Sequence, residues 1–352
     1  MEENNQAFTS LSQLGEFKFI DHISKPFHQK NASSLKLIGD DSAQFSYHQN
    51  HGLVSTDMFV HGVHFDLDYF PLQHLGYKAV IATISDIYAM NAKPEQILIS
   101  LALSSHFSVE MLDLFYSGVK AACDDYNVDL AGGDTTTISR GMIINGTALG
   151  QAEKEKVVYR KGAFENDLIC VTGDLGAAYL GLQLLEREKQ VFRSNPNIQP
   201  ELKEENQYLY QRFLRPDCRD DVIKFFDKSG ILPSSMMDIS DGLSSELIHI
   251  CTQSQVGAKI YEDKLPVHPS TVDVAKEFGM EPTTCALNGG EDYELLFTAS
   301  PSYYEQLKEQ TDISIIGHIT PRNTAIELVS KGGNSYPLQA QGWEAFGSQS
   351  DL

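Results

Sequence analysis

The sequence predicts an α/β (α+β) fold in two domains, an N-terminal mixed sheet with helices and a C-terminal α/β unit. Three observations predict it. At 352 residues the chain can bury two separate cores. Short apolar runs of strand length alternate with longer segments whose apolar residues recur at helical spacing. A polar, charged stretch from Gln151 to Lys156 interrupts that alternation, and the boundary is placed there, giving domains 1–150 and 151–352.

The elements follow in order. Residues 1 to about 34 form a polar lead-in with one helix near Leu14 to Ile20. Leu35 to Ile38 starts a strand that runs into Gly39-Asp40-Asp41, and Gly52 to Thr56 is a second strand, ending at Asp57. Pro71 to Met90 carries Leu72, Leu75, Ala79, Ala82, Ile84 and Ile87 near helical spacing. Ile97 to Leu103 is a strand, and Ser108 to Tyr126 a helix with Ser108 as N-cap. Val128 to Ala131 is a strand feeding Gly132-Gly133-Asp134, and Met142 to Leu149 is another. Past the boundary, Leu168 to Thr172 is a strand and Ala177 to Arg187 a helix. Glu188 to Gln207, with Pro196 and Pro200, reads as an exposed loop with some helix. Asp220 to Ser229 is helical, Met236 to Ile239 a strand, and Leu243 to Ser254 a helix. Lys259 to Tyr261, Tyr293 to Thr298 and Ser314 to Ile319 are strands.

The charge excludes some functions. Twenty-seven Lys and Arg stand against 48 Asp and Glu, a formal charge of -21. A nucleic-acid binder would carry a basic face, and so would a protein docked on an anionic membrane. An anionic substrate stays compatible, because bound cations invert the local field. The five cysteines form no CxxC pair and no zinc-ligand spacing, which fits reduced thiols in the cytoplasm. Met1-Glu2-Glu3-Asn4 is not a secretory signal. The longest apolar stretch, Ala79 to Ala92, contains Ser85 and Asp86 and is too short to span a bilayer.

Six acidic motifs carry the chemistry: Gly39-Asp40-Asp41-Ser42, Ser55-Thr56-Asp57, Ser85-Asp86, Gly132-Gly133-Asp134-Thr135, Asp238-Ile239-Ser240-Asp241-Gly242 and Gly289-Gly290-Glu291-Asp292. No P-loop, protein-kinase set, GxSxG elbow or HExxH occurs. Phosphoryl transfer needs alignment and charge neutralisation more than covalent help. A chain rich in Asp and poor in Lys and Arg around its motifs is suited to several Mg²⁺ ions held by carboxylates. Asp41, Asp57, Asp86, Asp134 and Asp238 are the natural ligands, with Ser55 and Thr56 adding oxygens. Taken singly, such motifs also read as turns or helix caps: Ser240 or Asp241 would cap a helix, and Asn288 to Asp292 would make a hairpin turn.

The ordered set resembles the thiamine-monophosphate kinase family, within the aminoimidazole ribonucleotide synthetase-like superfamily. Leu37-Ile38-Gly39-Asp40-Asp41, Ser55-Thr56-Asp57, His64-Phe65, Tyr77-Lys78-Ala79, Ser85-Asp86-Ile87, Gly132-Gly133-Asp134-Thr135, Val171-Thr172-Gly173, Asp238 to Leu243 and Gly289 to Leu295 carry it, from about residue 14 to residue 346. The resemblance implies transfer of the γ-phosphoryl of ATP onto thiamine monophosphate. It implies an N-terminal sheet that pairs with a second subunit into a barrel, hence a homodimer, and a C-terminal α/β domain that completes the ATP and substrate site. It implies a magnesium set of Asp41, Ser55, Thr56, Asp57, Asp86, Asp134 and Asp238, with Asp241 as an outlying ligand. ATP contacts would be Tyr116, Gly133, Asp134, Arg160 and Ser240. Contacts to thiamine would be His64 (or its neighbour His61), Glu291 and Trp343, the last being either a ring stacked on substrate or a core anchor. No side chain is assigned as a catalytic acid or base.

Three departures from the family pattern stand out. Thr137 and Ile138 occupy positions where a basic residue is frequent, Asn166 replaces a glycine, and the 188–207 segment is long. Among related enzymes, selenophosphate synthetase would carry a reactive Cys near its N-terminus, and residues 1–34 have none. The hydrogenase-maturation relative would end in Cys, whereas this chain ends Gln349-Ser350-Asp351-Leu352.

Overall fold

A computed structural model describes residues 34–36, 40–47, 50–194 and 202–342. The expected helix at Leu14 to Ile20 and residue Trp343 lie outside the described residues.

The first sheet holds β1 (Ser34–Lys36), β2 (Ala43–Tyr47), β3 (Asn50–Val60), β4 (Lys93–Leu103), β5 (Asp129–Thr137) and β6 (Met142–Glu153), in the order β1-β2-β3-β6-β4-β5. Its neighbours are antiparallel except β4 and β5, which run parallel. Alternation along β3 puts Leu53, Ser55, Asp57 and Phe59 on one face and Thr56 and Met58 on the other. The first face packs on α1 (Leu72–Ala89) and α2 (Val109–Tyr126). The second face is open: Met58 is 57 % exposed, and Asp134 is exposed in the same cross-strand row.

Helix α1 is apolar nearly all round, the signature of a helix buried on every side. Sheet one covers one flank, α2 the next, and α3 (Ala177–Ser194) and α4 (Gln207–Leu214) share the same core. Gly118 lets α2 approach closely, since a Cβ there would lie 1.8 Å from the Gln73 carbonyl oxygen of α1. Ser108 caps α2 as expected, its side chain accepting from Met111 N at 3.3 Å.

The second sheet holds β7 (Leu168–Thr172), β8 (Ser235–Ile239), β9 (Gly257–Tyr261), β10 (Glu294–Ala299), β11 (Ile313–Thr320), β12 (Ile326–Val329) and β13 (Ser335–Pro337), in the order β13-β12-β9-β11-β7-β10-β8. Both faces of its centre are buried. Ile169, Val171, Met237 and Leu296 join the core under α6 (Leu243–Ser254) and α8 (Pro282–Asn288). Cys170, Met236, Leu295 and Phe297 join the core under α5 (Asp220–Ser229) and α9 (Tyr304–Lys308). Helix α7 (Pro269–Glu277) lies beside α3, α4 and α8. No described helix is long and apolar enough to cross a membrane.

Several expectations need correction. β3 continues to Val60, so Asp57 lies inside a strand rather than at its end. β5 runs through Gly132-Gly133-Asp134 instead of stopping before it. α3 runs past Arg187 to Ser194, which supplies helix at the start of the 188–207 stretch read as a loop with some helix, and α4 begins at its last residue, Gln207. Asn288 to Asp292 joins a helix to a strand and is no hairpin. Asn166 takes the left-handed conformation, φ 72°, that its replacement of a glycine suggests.

Candidate active site

The carboxylates converge where the two sheets meet. Asp41 precedes β2, Asp86 stands in the last turn of α1, and Asp238 stands near the end of β8. Oxygens of these three lie within 4.8 Å of one another. Ser55 donates to Asp86 Oδ2, and Ser85 Oγ donates to Asp238 Oδ2 at 2.6 Å. Arg160 closes the group from one side: Nε donates to Asp41 Oδ1 at 2.8 Å, its NH2 group reaches the same oxygen, and its backbone N donates to Asp40 Oδ1 at 3.1 Å.

Crowded, desolvated carboxylates resist ionisation. Burial pushes Asp41 up to about 7, with Arg160 opposing and Asp238 and Asp40 adding. Burial pushes Asp57 up to about 7, helped by the charges of Asp238 and Glu291. Burial raises Asp86 well above the ordinary range, and Asp57, Asp238 and Asp41 add to it. Burial also raises Asp238, against the pull of Ser85 and Arg160. Oδ2 of Asp41 and Oδ2 of Asp57 are buried with no hydrogen-bond partner. Oxygen donors that are clustered, desolvated and unpartnered are what a hard divalent cation takes, so the residues present fit Mg²⁺.

A second group adjoins the first through Asp57, which feels both Asp238 and Glu291. Glu291 follows Gly289-Gly290 with φ 61°, and its N donates to Ser240 O at 2.7 Å. Tyr293 is also left-handed, at φ 52°, and its N donates to Ile239 O at 2.9 Å. Two non-glycine residues in that region mark a loop held against its local preference. Gly290 permits the approach, since a Cβ there would lie 2.5 Å from Ser240 O. Lys78 Nζ meets Glu291 Oε2 at 2.5 Å. His64 faces this pair: burial lowers its pKa, Glu291 opposes and Lys78 reinforces. His61 turns elsewhere, stacked on Phe65 with Nε2 3.8 Å from Asp66. Under the same loop Asp292 accepts from Gly176 N at 3.0 Å, while Glu294 accepts from Thr172, Arg212 and Arg219.

The remaining expected residues sit apart. Tyr116, Gly133 and Asp134 line an open cleft of about 510 Å³ beside β5. Asp134 pairs across the ladders with Ser100, Asn145 and Met58, so it shares the open face of the sheet. Asp57 is in the next row on the opposite face, and three strand spacings, about 14 Å, separate its strand from β5. Thr56 is on that open face too, with Oγ1 donating to Gly146 O at 2.9 Å. Ser240 is exposed at the end of β8. Asp241 lies outside the three-carboxylate group; its N donates to Glu246 Oε1 at 2.9 Å, and Gly242 takes the N-cap position expected of Ser240 or Asp241.

Sequence reasoning assigned no role to Ser85, Lys78 or Arg212. For Lys78 a signal was present: a single lysine inside the apolar run from Leu75 to Met90.

Residues 39–152 match the family model described as AIR synthase related protein, N-terminal domain. The chain is 36 % identical over 303 residues to a thiamine-monophosphate kinase of Aquifex aeolicus, covering 86 % of this chain and 92 % of the relative. It is 33 % identical to that of Bacillus subtilis over 346 residues, 95 % and 100 % of the two chains. A solved structure described as "AaThiL complexed with AMPPCP and TMP" superposes with a TM-score of 0.82 at 32 % identity, over 96 % of this chain and 99 % of the other.

Proposed function

This chain belongs to the thiamine-monophosphate kinase family, and from that premise we propose that it moves the γ-phosphoryl of ATP onto thiamine monophosphate by direct in-line transfer. The observation that carries the chemistry is the junction of two groups, Asp41-Asp86-Asp238 and Glu291-Lys78-His64, across Asp57. A similar protein has been solved with AMPPCP, an ATP analogue, and with TMP, which the relatives' name reads as thiamine monophosphate.

Asp41, Asp57, Asp86 and Asp238, with Ser55, would hold magnesium. When bound there, Mg²⁺ ions neutralise and orient the phosphate oxygens of both substrates. The acceptor is itself a phosphate and already anionic, so no general base is needed. An acceptor phosphate oxygen forms the new P–O bond as the bond from the γ-phosphorus to the ADP oxygen breaks, giving thiamine diphosphate and ADP. The opposing force is repulsion between two anions, and a desolvated, pre-organised site addresses it. Arg160 offers a guanidinium next to Asp41, and Tyr116, Gly133 and Asp134 offer a cleft for the nucleotide. Asp134 and Asp241 join the metal set in this reading as outer members. His64, Glu291 and Trp343 would meet the thiamine portion.

The domain roles follow. Residues 1–150 would carry most of the metal and nucleotide contacts and the dimer face, and 151–352 would complete the site with Asp238, Ser240 and Glu291. The open face of the first sheet, bearing Met58, together with its exposed edge strand β5, is the surface we assign to pairing with a second copy as a barrel. Five free, buried cysteines fit a cytoplasmic setting. The test is direct: incubate the pure protein with Mg-ATP and thiamine monophosphate and look for thiamine diphosphate and ADP. ATP binding with no diphosphate formed would overturn the reading.

A further inference from the structure

Lys78 is 2 % exposed, among the largest fully buried side chains of the described residues. Lysine is almost never buried so completely unless it is paired. Its Nζ meets two oxygens, Glu291 Oε2 at 2.5 Å and the Phe213 carbonyl at 2.8 Å, and lies over two rings, Phe213 at 3.8 Å and Phe70 at 5.5 Å to the centroid. An ammonium carries three N–H groups. Two are taken by oxygens, and with rings over a side chain only 2 % exposed the ammonium is closed to a substrate phosphate. Burial pulls the lysine pKa down, and the Glu291 charge opposes that fall.

The partners come from separate parts of the molecule. Lys78 rides on α1, Phe213 on α4, and Glu291 on the loop between α8 and β10. On Glu291 both side-chain contacts, Lys78 and the Tyr293 hydroxyl at 3.3 Å, fall on Oε2. Among the described residues no hydrogen bond or ion pair engages Oε1, which leaves it available to a ligand. The backbone of Glu291 is fixed by Ser240, and its side chain by a cation that cannot move without breaking the seam between α1 and α4.

We propose that Lys78 is a positioning residue for the phosphate acceptor: it aligns the Glu291 carboxylate, and so sets acceptor affinity without touching the acceptor. This rests on the reading that Glu291 meets the thiamine portion. Because the pair is neutral as a whole, Glu291 acts as a directed hydrogen-bond acceptor more than as a free charge.

The test compares Lys78→Met, Glu291→Gln and the double variant, with thiamine monophosphate and ATP each varied. Lys78→Met should raise KM for thiamine monophosphate about ten-fold, with kcat and KM for ATP within about two-fold, the pattern of lost binding remote from the reacting atoms. The double variant should be no worse than Glu291→Gln, because both changes remove one interaction. If Glu291→Gln raises the acceptor KM and Lys78→Met does not, the positioning role is overturned while the reading of Glu291 stands. If Glu291→Gln leaves the acceptor KM unchanged, the reading fails and the proposal goes with it. Uniform losses in kcat and both KM values in Lys78→Met mark a packing residue and also overturn it. Should Lys78→Met fail to fold, Phe213→Leu, which removes the ring under the ammonium, should raise the acceptor KM in the same direction; an unchanged value there is equally decisive against the proposal.

Discussion

Asp57 is held on β3 between two sets of charge, Asp238 on one side and Glu291 on the other. A residue so placed serves both substrates, and its loss should appear in turnover. Asp57→Ala and Asp86→Ala are expected to lower kcat at least about a hundred-fold, ~2.7 kcal/mol of transition-state stabilisation. Asp134→Ala, in the cleft with Tyr116, should fall first on KM for ATP. Steady-state kinetics of the three separates the roles, and an Asp57→Ala protein with a tenth or more of its kcat would remove that residue from the site. The raised carboxylates also set a pH dependence. Folded Asp41 and Asp57 keep their protons to about pH 7, whereas unfolded chains release them near pH 4. Their contribution to stability is therefore full below about pH 4 and lost as pH rises through about 7. Calorimetry of chelator-treated protein should show Tm falling from pH 5 to 8, with Mg²⁺ restoring more at pH 8 than at pH 5; a Tm that climbs across that window would contradict the clustering. The acids themselves were legible in the sequence, because carboxylates at the edges of apolar runs, such as Asp57, Asp86 and Asp238, are a visible pattern. Ser85 and Arg212 were not, since what recruits them is a partner about 150 and 80 residues away.

At the scale of the element, the contact between α1 and α2 depends on Gly118. Gly118→Ala would drive a methyl group into the Gln73 carbonyl, and overpacking of that kind costs about 1–3 kcal/mol. Denaturant melts should register that loss, and an unchanged midpoint would mean that the helices are free to part. Helices α1, α2, α3, α5 and α6 were readable, α1 from its apolar spacing and α2 from its Ser108 cap, and each is longer than two turns. β3 and β5 were cut short because Ser55-Thr56-Asp57 and Gly132-Gly133-Asp134 read as strand ends. In the structure their polar residues alternate between an open face and a site, which local propensity does not encode. α7 and α8 passed unseen although Pro269 and Pro282 stand at their first positions, a known start signal. α4 is only two turns long and follows a polar stretch, and its helicity comes from docking Leu209 and Phe213 on α1 and α3.

For the whole molecule, the first sheet leaves one face and one long edge strand, β5, exposed from end to end. Such an edge invites pairing. We expect a homodimer, read by light scattering at micromolar protein as twice the 39.1 kDa chain mass; a monomeric mass would count against the barrel. Both sheets were foreseen from the alternation of strand and helix, whereas the strand order was not, because sequence proximity does not set it. β8 pairs with β10 alone among the described strands, and β10 joins it to the rest of the second sheet. That order has a consequence for synthesis. Asp238 has left the ribosome some fifty-six residues before Glu294, the first residue of the strand that anchors it. A nascent chain halted at Gly290 would contain Asp41, Asp57, Asp86 and Asp238, yet β8 would have no strand to pair with and Asp238 no sheet to hold it beside the other three. Premature termination should therefore yield an inert polypeptide rather than a weak enzyme, and the last sixth of the message decides whether the first five-sixths can act.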